Sequence, residues 1–267
     1  MQLRKYIIFT ACLIGFNNSL HAFSLTGLTP EDAGLAIAKE MDRRDTGFGD
    51  STADLTMTLR NAKGQESVRQ ISNKTLEVDG DGDKSISIFQ TPADVKGTIS
   101  LTYSHGLKPD DQWLYLPALK RVKRINSKNK SGPFMGSEFA FEDIGSQEVE
   151  KYGYRYLRDE NLNGVDCYVS ERSPAYKYSG YTRQITWIDK AEFRLQKIEF
   201  YDRKNALLKT LTFHDYQQYL EKYWRAGRME MINHQSKKST SLEWKNYKFG
   251  NDLTDRDFDH TTLRNIR

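Results

Sequence analysis

Short runs in which apolar and polar residues alternate recur along most of this chain, and they constrain its fold more than any other feature. Residues 53–59 are the clearest run, because Ala, Leu, Met and Leu alternate strictly with polar residues there, as in a half-buried strand. Turn sequences such as Asp79-Gly80 and Asn163-Gly164 separate further runs. About ten to twelve strands cannot lie flat in one open sheet. The pattern therefore predicts a mainly β protein with one strongly curved antiparallel sheet.

One helix is predicted near the start of the chain. Thr29 is a good N-cap, Pro30 suits the first helical position, and Asp32 occupies the acidic position of a capping box. The apolar stripe of this segment consists of Leu35, Ala38 and Met41. We predict a helix over residues 30–43, ending near Arg44, that packs against the concave face of the sheet.

The first 22 residues have the pattern of an export signal. A basic start precedes an apolar stretch over residues 6–16, and Ala22 ends a small-residue cleavage site. The apolar stretch is about half the ~20 residues needed to span a membrane. We predict a signal peptide over 1–22 and one periplasmic domain over 23–267. Two alternatives remain open, namely lipidation at Cys12 and an uncleaved anchor.

The composition limits how the exported part of the chain can be stabilised and which partners it can have. Cys167 is its single cysteine, so an intramolecular disulfide is excluded and a hydrophobic core must supply the stability. No later segment is apolar enough to span a membrane, which predicts a soluble protein. The formal net charge of the whole chain is only +4, which gives no reason to expect a nucleic-acid partner. We expect a monomer.

Residues 132–143 form a loop rich in large apolar side chains. Leaving such a side chain in water costs roughly 1.5–3 kcal/mol, so the loop must pack into the core, a partner or a ligand. The side chains concerned are Phe134, Met135, Phe139 and Phe141. Two interpretations remain open: the loop is a packed lid, or it contacts cargo. Gly132 and Gly136 give the backbone freedom for the loop to swing aside as a gate.

A strongly basic run precedes that loop and contains Lys120, Arg121, Lys123 and Arg124. It is either the solvated polar face of a strand or a docking surface for anionic lipid headgroups or an acidic partner. Near an anionic membrane each cation contributes about 1 kcal/mol.

The sequence contains no constellation typical of an enzyme, so we predict a protein without catalytic residues. It has no nucleophile elbow, no zinc-protease motif and no phosphate-binding loop. Residues 79–83 imitate the start of a calcium loop, but Lys84 and Gln90 replace the glycine and glutamate that such a loop requires. We therefore expect neither a metal nor a cofactor.

Several motifs resemble the LolA-like superfamily of exported proteins, specifically the branch called outer membrane lipoprotein-sorting protein. They are Pro92-x-Asp94-x-Lys96-Gly97-Thr98, Asp111-Gln-Trp-Leu-Tyr-Leu-Pro117, Leu119-Lys-Arg-Val-Lys-Arg-Ile125 and Pro133-Phe-Met-Gly-Ser-Glu-Phe139. The resemblance covers nearly all of residues 30–260. It implies an unclosed antiparallel β-barrel with a helical and loop lid over an apolar cavity, and an association with RND-type inner-membrane exporters.

The resemblance implies a periplasmic carrier that shields a lipid or an acylated lipoprotein between the two membranes, with transient membrane contact. Residues expected to touch the cargo are Leu101, Trp113, Tyr115, Phe134, Met135, Phe139 and Phe141, although Trp113 and Tyr115 also suit an ordinary core. The cations at 120–124 would orient an anionic cargo end or dock on the donor membrane. The alternative function is a non-catalytic periplasmic adaptor of an envelope export complex.

Overall fold

The computed structural model describes residues 23–265; the predicted signal peptide and Cys12 lie outside this range. The chain forms one helix and thirteen strands. They are α1 (Pro30–Asp45), β1 (Asp50–Arg60), β2 (Glu66–Leu76), β3 (Lys84–Thr91), β4 (Ile99–Tyr103), β5 (Asp111–Leu116), β6 (Arg121–Arg124), β7 (Tyr152–Leu162), β8 (Val165–Pro174), β9 (Tyr181–Asp189), β10 (Leu195–Asp202), β11 (Leu207–Tyr219), β12 (Tyr223–Asn233) and β13 (Ser239–Phe249).

All thirteen strands belong to one antiparallel sheet, in the order β6-β5-β4-β3-β2-β1-β13-β12-β11-β10-β9-β8-β7. Every neighbouring pair except β1–β13 is also consecutive in sequence, so hairpins build nearly the whole sheet. The sheet does not close, because its edge strands β6 and β7 do not pair with each other in the part that the structure describes. The prediction of one unclosed antiparallel sheet is confirmed, with one strand more than expected.

Helix α1 begins as predicted and ends two residues later than predicted. The Thr29 hydroxyl accepts a hydrogen bond from the Asp32 amide at 3.1 Å and donates one to the Asp32 carboxylate at 2.7 Å. Ile37 is fully buried and packs with Ile188 and Phe193. Within residues 23–265, no helix is both long and apolar enough to cross a membrane.

The main hydrophobic core lies on one face of the sheet, which we call the inner face. Its buried members are Leu55, Met57, Ile71, Phe89, Phe134, Phe139, Tyr181, Ile198, Phe200, Leu211, Phe213, Ala226, Met231 and Leu242. Most come from β1, β2, β3 and β9–β13. Two come from the crossover segment, residues 125–151, which joins the two edge strands. Helix α1 packs on the same inner face. Ile198 belongs to the main core, its partner Thr186 on β9 is on the same face, and so is Ile188 two residues further on. Ile188 is the residue against which Ile37 of α1 packs.

A second cluster covers the opposite, outer face of β3, β4 and β5. Phe258 and Leu263 from the C-terminal segment, residues 250–265, are fully buried against Ile86, Ile99 and Leu101. The Tyr103 hydroxyl donates a hydrogen bond to the Phe258 carbonyl, which fixes the segment to β4. No local sequence pattern predicts that the C-terminal segment packs on this face.

Gly34 sets the distance between α1 and the edge strand β7. A Cβ atom at this position would lie 2.8 Å from the backbone nitrogens of Arg155 and Tyr156, which cannot move independently of the strand. We predict that Gly34→Ala lowers the free energy of unfolding by about 1–2 kcal/mol, although alanine otherwise favours a helix by about 1 kcal/mol. Urea denaturation measures the change.

Gly153→Ala on β7 is the matched control, because its Cβ atom would meet no atom within 4 Å. If Gly34→Ala were as stable as this control, the helix would not be in direct contact with the strand backbone.

Candidate functional site

A cavity of about 1090 Å³ lies between α1 and the inner face of the sheet. The C-terminal half of α1 forms one wall. The turn after β2, the end of the crossover segment, the β9–β10 turn and the β11–β12 hairpin form the others. Residues that contribute to the lining include Ala38, Met41, Asp42, Asp45, Phe48, Glu77, Val78, Asp83, Gln147, Glu148, Val149, Glu150, Tyr154, Glu192, Phe193, Arg194, Leu195, Tyr216, Lys222 and Trp224.

Apolar and aromatic side chains form the floor of the cavity. Met41 and Leu195 pack beside Phe193 in the cluster under α1. Tyr216 and Trp224 also belong to the floor, and their polar atoms are hydrogen-bonded within the protein. The Tyr216 hydroxyl donates to the Leu195 carbonyl at 2.6 Å, and the Trp224 indole N–H donates to Glu192 at 3.2 Å. The rings therefore present mainly their carbon surfaces, which suit an apolar ligand.

Carboxylates surround the rim. Burial, together with the nearby Glu148 and Glu77 carboxylates, raises the pKa of Asp83 to about 7. Burial also raises the pKa of Asp42 and of Glu148 above their ordinary values, and Glu150 adds to both shifts. Within residues 23–265, no group of three or more His, Cys, Asp and Glu side chains is placed to hold a metal ion.

The four apolar residues predicted for the loop lie together in the main core, away from the cavity lining. Phe134 and Phe139 are 2% and 3% exposed, so they are part of the interior of the protein. Met135 and Phe141 are half-buried and pack against the same cluster. The Phe134 amide donates to the Phe139 carbonyl at 2.7 Å, which closes the loop into a hairpin-like turn.

Buried polar contacts tie this loop to the sheet. Lys209 reaches from β11 to the Asp143 carboxylate at 2.7 Å and to the Glu138 carbonyl at 2.8 Å. Both members of this ion pair are buried, and removing one partner of such a pair typically costs about 3–5 kcal/mol. Glu142 accepts hydrogen bonds at 2.8 Å from the Gly180 amide and from the Ser179 hydroxyl. The loop is thus anchored at both ends, and a gating movement would have to break these contacts.

Leu101, Trp113 and Tyr115 lie on the outer face. Leu101 is fully buried under the C-terminal segment, and Trp113 and Tyr115 pack against the same cluster. His260 stacks on Trp113 at a ring distance of 4.7 Å. Lipid contact by these residues stays a prediction, and it would require the C-terminal segment to move.

The cations at 120–124 are exposed along and beside the edge strand β6. Arg121 shares the face of Leu116 and Lys123 that of Leu114, whereas Arg124 is on the opposite face and pairs with Asp111. In the described part of the chain these cations do not line the cavity. Their role in docking stays a prediction.

Most of the cavity lining could not be predicted from the sequence, because these residues come together from five distant segments. Met41 and Ala38 were identified only as part of the helical stripe. A usable signal was the acidic composition of residues 77–83, which contain Glu77, Asp79, Asp81 and Asp83. This acidic stretch indicates a cavity rim only together with a second acidic group, Glu148 and Glu150, and no local sequence pattern predicts that the two groups lie close together.

An open antiparallel barrel with a helix over a cavity on its inner face defines the LolA-like class of proteins. Over 85% of this chain, a LolA superfamily protein from Nitrosomonas europaea has the same fold, with a TM-score of 0.69 and 21% identity over 97% of its own length. A family model described as "Uncharacterized protein" matches residues 81–265.

Two more similar structures specify the family. A domain named for outer membrane lipoprotein sorting, from Vibrio parahaemolyticus, is 56% identical with a TM-score of 0.86, covering 88% of this chain and 99% of its own. A DUF1329 family protein from Desulfovibrio piger is 33% identical with a TM-score of 0.84 over the same shares. No curated protein sequence matched. The chain belongs to the family of this outer membrane lipoprotein-sorting domain and of the DUF1329 protein, and it has the LolA-like fold.

The buried carboxyl of Asp83 predicts a pH-dependent stability. Its folded pKa of about 7 lies above the ordinary value of 3.8, so the folded state holds the proton more tightly than the unfolded state. The contribution of Asp83 to the stability is therefore fully present near pH 4 and below, and it is lost as the pH rises to about 7. Asp83→Asn removes this dependence, and we expect the variant to be more stable above pH 7 by on the order of 2–4 kcal/mol.

Urea denaturation between about pH 4 and pH 8 measures this effect. Asp252→Asn is the control, since Asp252 is exposed outside the cavity. Parallel stability curves for the wild type and Asp83→Asn would contradict the prediction.

Proposed function

We propose that this protein is a periplasmic carrier that shields a lipid, or the acyl chain of a lipoprotein, in the cavity between α1 and the sheet. The observation that carries the proposal is the cavity itself, with its apolar floor. Membership of the same family as the lipoprotein-sorting domain supports the same class of function.

The size of the cavity fits such a cargo. Ligand cavities in proteins typically have volumes of about 300–1,000 Å³, and this one, at about 1090 Å³, is slightly larger. Each methylene removed from water contributes about 0.8 kcal/mol. A carrier must recover most of this energy in the cavity and still release the chain to its acceptor. A floor made of a few aromatic and aliphatic side chains under a single helix provides moderate binding of that kind.

The route of the cargo is the finer part of the proposal. Export to the periplasm is expected from the signal-like residues 1–22, and an RND-type inner-membrane exporter is the expected partner of a monomeric carrier. The basic edge strand β6 would make transient contact with the donor membrane. An adaptor role in an envelope complex is the second candidate, because the exposed side chains of Val122 and Leu119 beside these cations suit a protein partner.

Filling the mouth of the cavity should abolish lipid retention. Val78 is half-buried and lines the cavity, so Val78→Trp would place an indole ring in the space of the cargo. We expect native mass spectrometry, combined with lipid extraction, to find bound lipid in the wild type and at least about tenfold less in the variant.

Val68→Trp is the matched control, since Val68 is 46% exposed on β2 and does not line the cavity. Equal retention by both variants would place the cargo elsewhere. A wild-type protein without any lipid, even after incubation with vesicles, would favour the adaptor function.

Charge reversal on β6 tests the docking surface. The double variant Arg121→Glu/Lys123→Glu should slow transfer of lipid from anionic vesicles several-fold, because two attractive cations become repulsive. The effect should shrink as salt rises from about 0.01 M to about 0.5 M, since salt screens exposed charges. A fluorescence transfer assay measures the rate.

Lys237→Glu/Lys238→Glu is the control, because it makes the same charge change in the exposed β12–β13 turn. If both double variants behaved alike at every salt concentration, the basic strand would be an ordinary solvated face.

A further inference from the structure

The cavity carries far more negative than positive charge. Ten acidic residues line it, namely Asp42, Asp45, Glu77, Asp79, Asp81, Asp83, Glu148, Glu150, Glu192 and Glu221, against four basic ones, namely Arg43, Arg44, Arg194 and Lys222. An apolar chain alone requires no such rim. The excess charge therefore bears on the polar end of the cargo.

The four basic side chains offset only part of the rim charge, because three of them are paired with Glu40 and Asp189, whereas Lys222 faces a neutral carbonyl and keeps its charge. Arg43 and Arg44 both bind Glu40, which is outside the lining, at 2.7 and 2.8 Å. Arg194 binds the buried Asp189 at 2.7 Å. Lys222 donates to the carbonyl of Thr46 at 2.7 Å. Arg44 also approaches Glu192, but only at 3.7 Å. On the acidic side, Asp45 is paired with Arg225 and Asp81 with His105.

The carboxylates are held close together by the packing of the loops behind them. Gly82 lies so near the crossover segment that a Cβ atom there would be 2.9 Å from a Glu148 carboxylate oxygen. The Asp83 amide donates to the Ser146 hydroxyl at 3.2 Å, and Ser146 in turn bonds Glu148. Asp83 and Glu148 therefore cannot move apart without breaking the contact between the two loops. On the α1 side, Asp42 lies close enough to Glu148 to add to the raised pKa of Glu148, a shift that burial mainly causes.

The remaining cation near this group is Lys151. Its ammonium group binds Asp110 at 3.0 Å and the Ser146 carbonyl at 2.8 Å, and its charge partly offsets the rise that burial causes in the pKa of Glu148. Some carboxylates are satisfied by donors of the fold. Glu77 accepts from the Gly47 and Gly49 amides at 2.6 and 2.7 Å. Asp42, Asp83 and Glu148 have no ion-pair partner within 4 Å among the described residues, so a cation entering the cavity would meet carboxylates that are only partly compensated.

We infer that the cargo is an amphiphile with an amine: its apolar chain lies on the floor of the cavity, and its ammonium group lies at the rim formed by Asp42, Asp83 and Glu148. Fatty acids and other simple anionic amphiphiles are rejected there by repulsion. This inference rests on the proposed carrier function and specifies its substrate class.

The protein thus has two different charge preferences at two different places. The cations of β6 attract an anionic membrane surface, whereas the cavity selects a cationic group on the molecule that enters.

Binding of three probes with the same acyl chain tests the inference: laurylamine, monolaurin and laurate, each below its micellar concentration at pH 8 and low salt. Isothermal titration calorimetry should give the tightest binding for laurylamine, with monolaurin between and laurate about tenfold or more weaker than laurylamine. The double variant Asp83→Asn/Glu148→Gln should bring the laurylamine-to-laurate ratio close to one and leave monolaurin binding unchanged.

Asp252→Asn/Glu243→Gln is the matched control, because it removes two exposed carboxylates outside the cavity. Equal binding of the three probes by the wild type, or the tightest binding for laurate, would overturn the inference and leave the carrier function intact. An unchanged preference in the Asp83/Glu148 variant would equally overturn it. Failure of all three probes to bind, monolaurin included, would instead count against the carrier function.

Discussion

An antiparallel sheet that does not close leaves an inner face that must be shielded from water, and the rest of this structure depends on how that shielding is achieved. The crossover segment between the two edge strands does most of it. Phe134 and Phe139 enter the core, and the buried pair of Lys209 and Asp143 holds the segment to β11. Without this pair, a buried charge would remain uncompensated and the loop would have no polar anchor in the interior. Because the crossover segment fills one part of the interior, α1 has to cover only the other part.

The covered part stays hollow for an electrostatic reason. Carboxylates such as Asp83 and Glu148 cannot be buried against apolar side chains without a large desolvation cost, so the walls of the cavity cannot collapse onto each other. The raised pKa of Asp83 shows that the fold already bears part of this cost. A stable protein that keeps such a group at the edge of an apolar floor holds the walls of the cavity apart, and the space between them is available to a ligand that brings its own positive charge.

The sequence predicted the sheet and the helix well, because both depend on local signals. Thr29 and Asp32 define the start of α1, and turn residues between alternating runs define the hairpins. The face of a residue within the curved sheet was harder to predict. Leu101, Trp113 and Tyr115 alternate with their neighbours as residues of a buried strand face do. That this buried face is the outer one depends on the C-terminal segment with Phe258, which packs there. The cavity could not be predicted for a related reason, since its carboxylates Asp42, Asp83 and Glu148 come from segments that are 41 and 65 residues apart in the sequence.

The wall formed by α1 is held by few apolar contacts, and this has a consequence for loading and release. Ile37 is the large side chain that α1 buries fully, and such burial contributes about 1.5–3 kcal/mol. Two to four methylenes of an acyl chain supply the same energy at about 0.8 kcal/mol each. A cargo chain that enters under the helix can therefore replace the apolar contact of Ile37, while the partly exposed ion pair of Asp45 with Arg225 and the close contact of Gly34 with β7 still hold α1 to the sheet. The crossover loop lacks this property, because an acyl chain offers nothing in exchange for the ion pair of Lys209 and Asp143. Physical reasoning thus favours the helix as the moving wall and the loop as the fixed one.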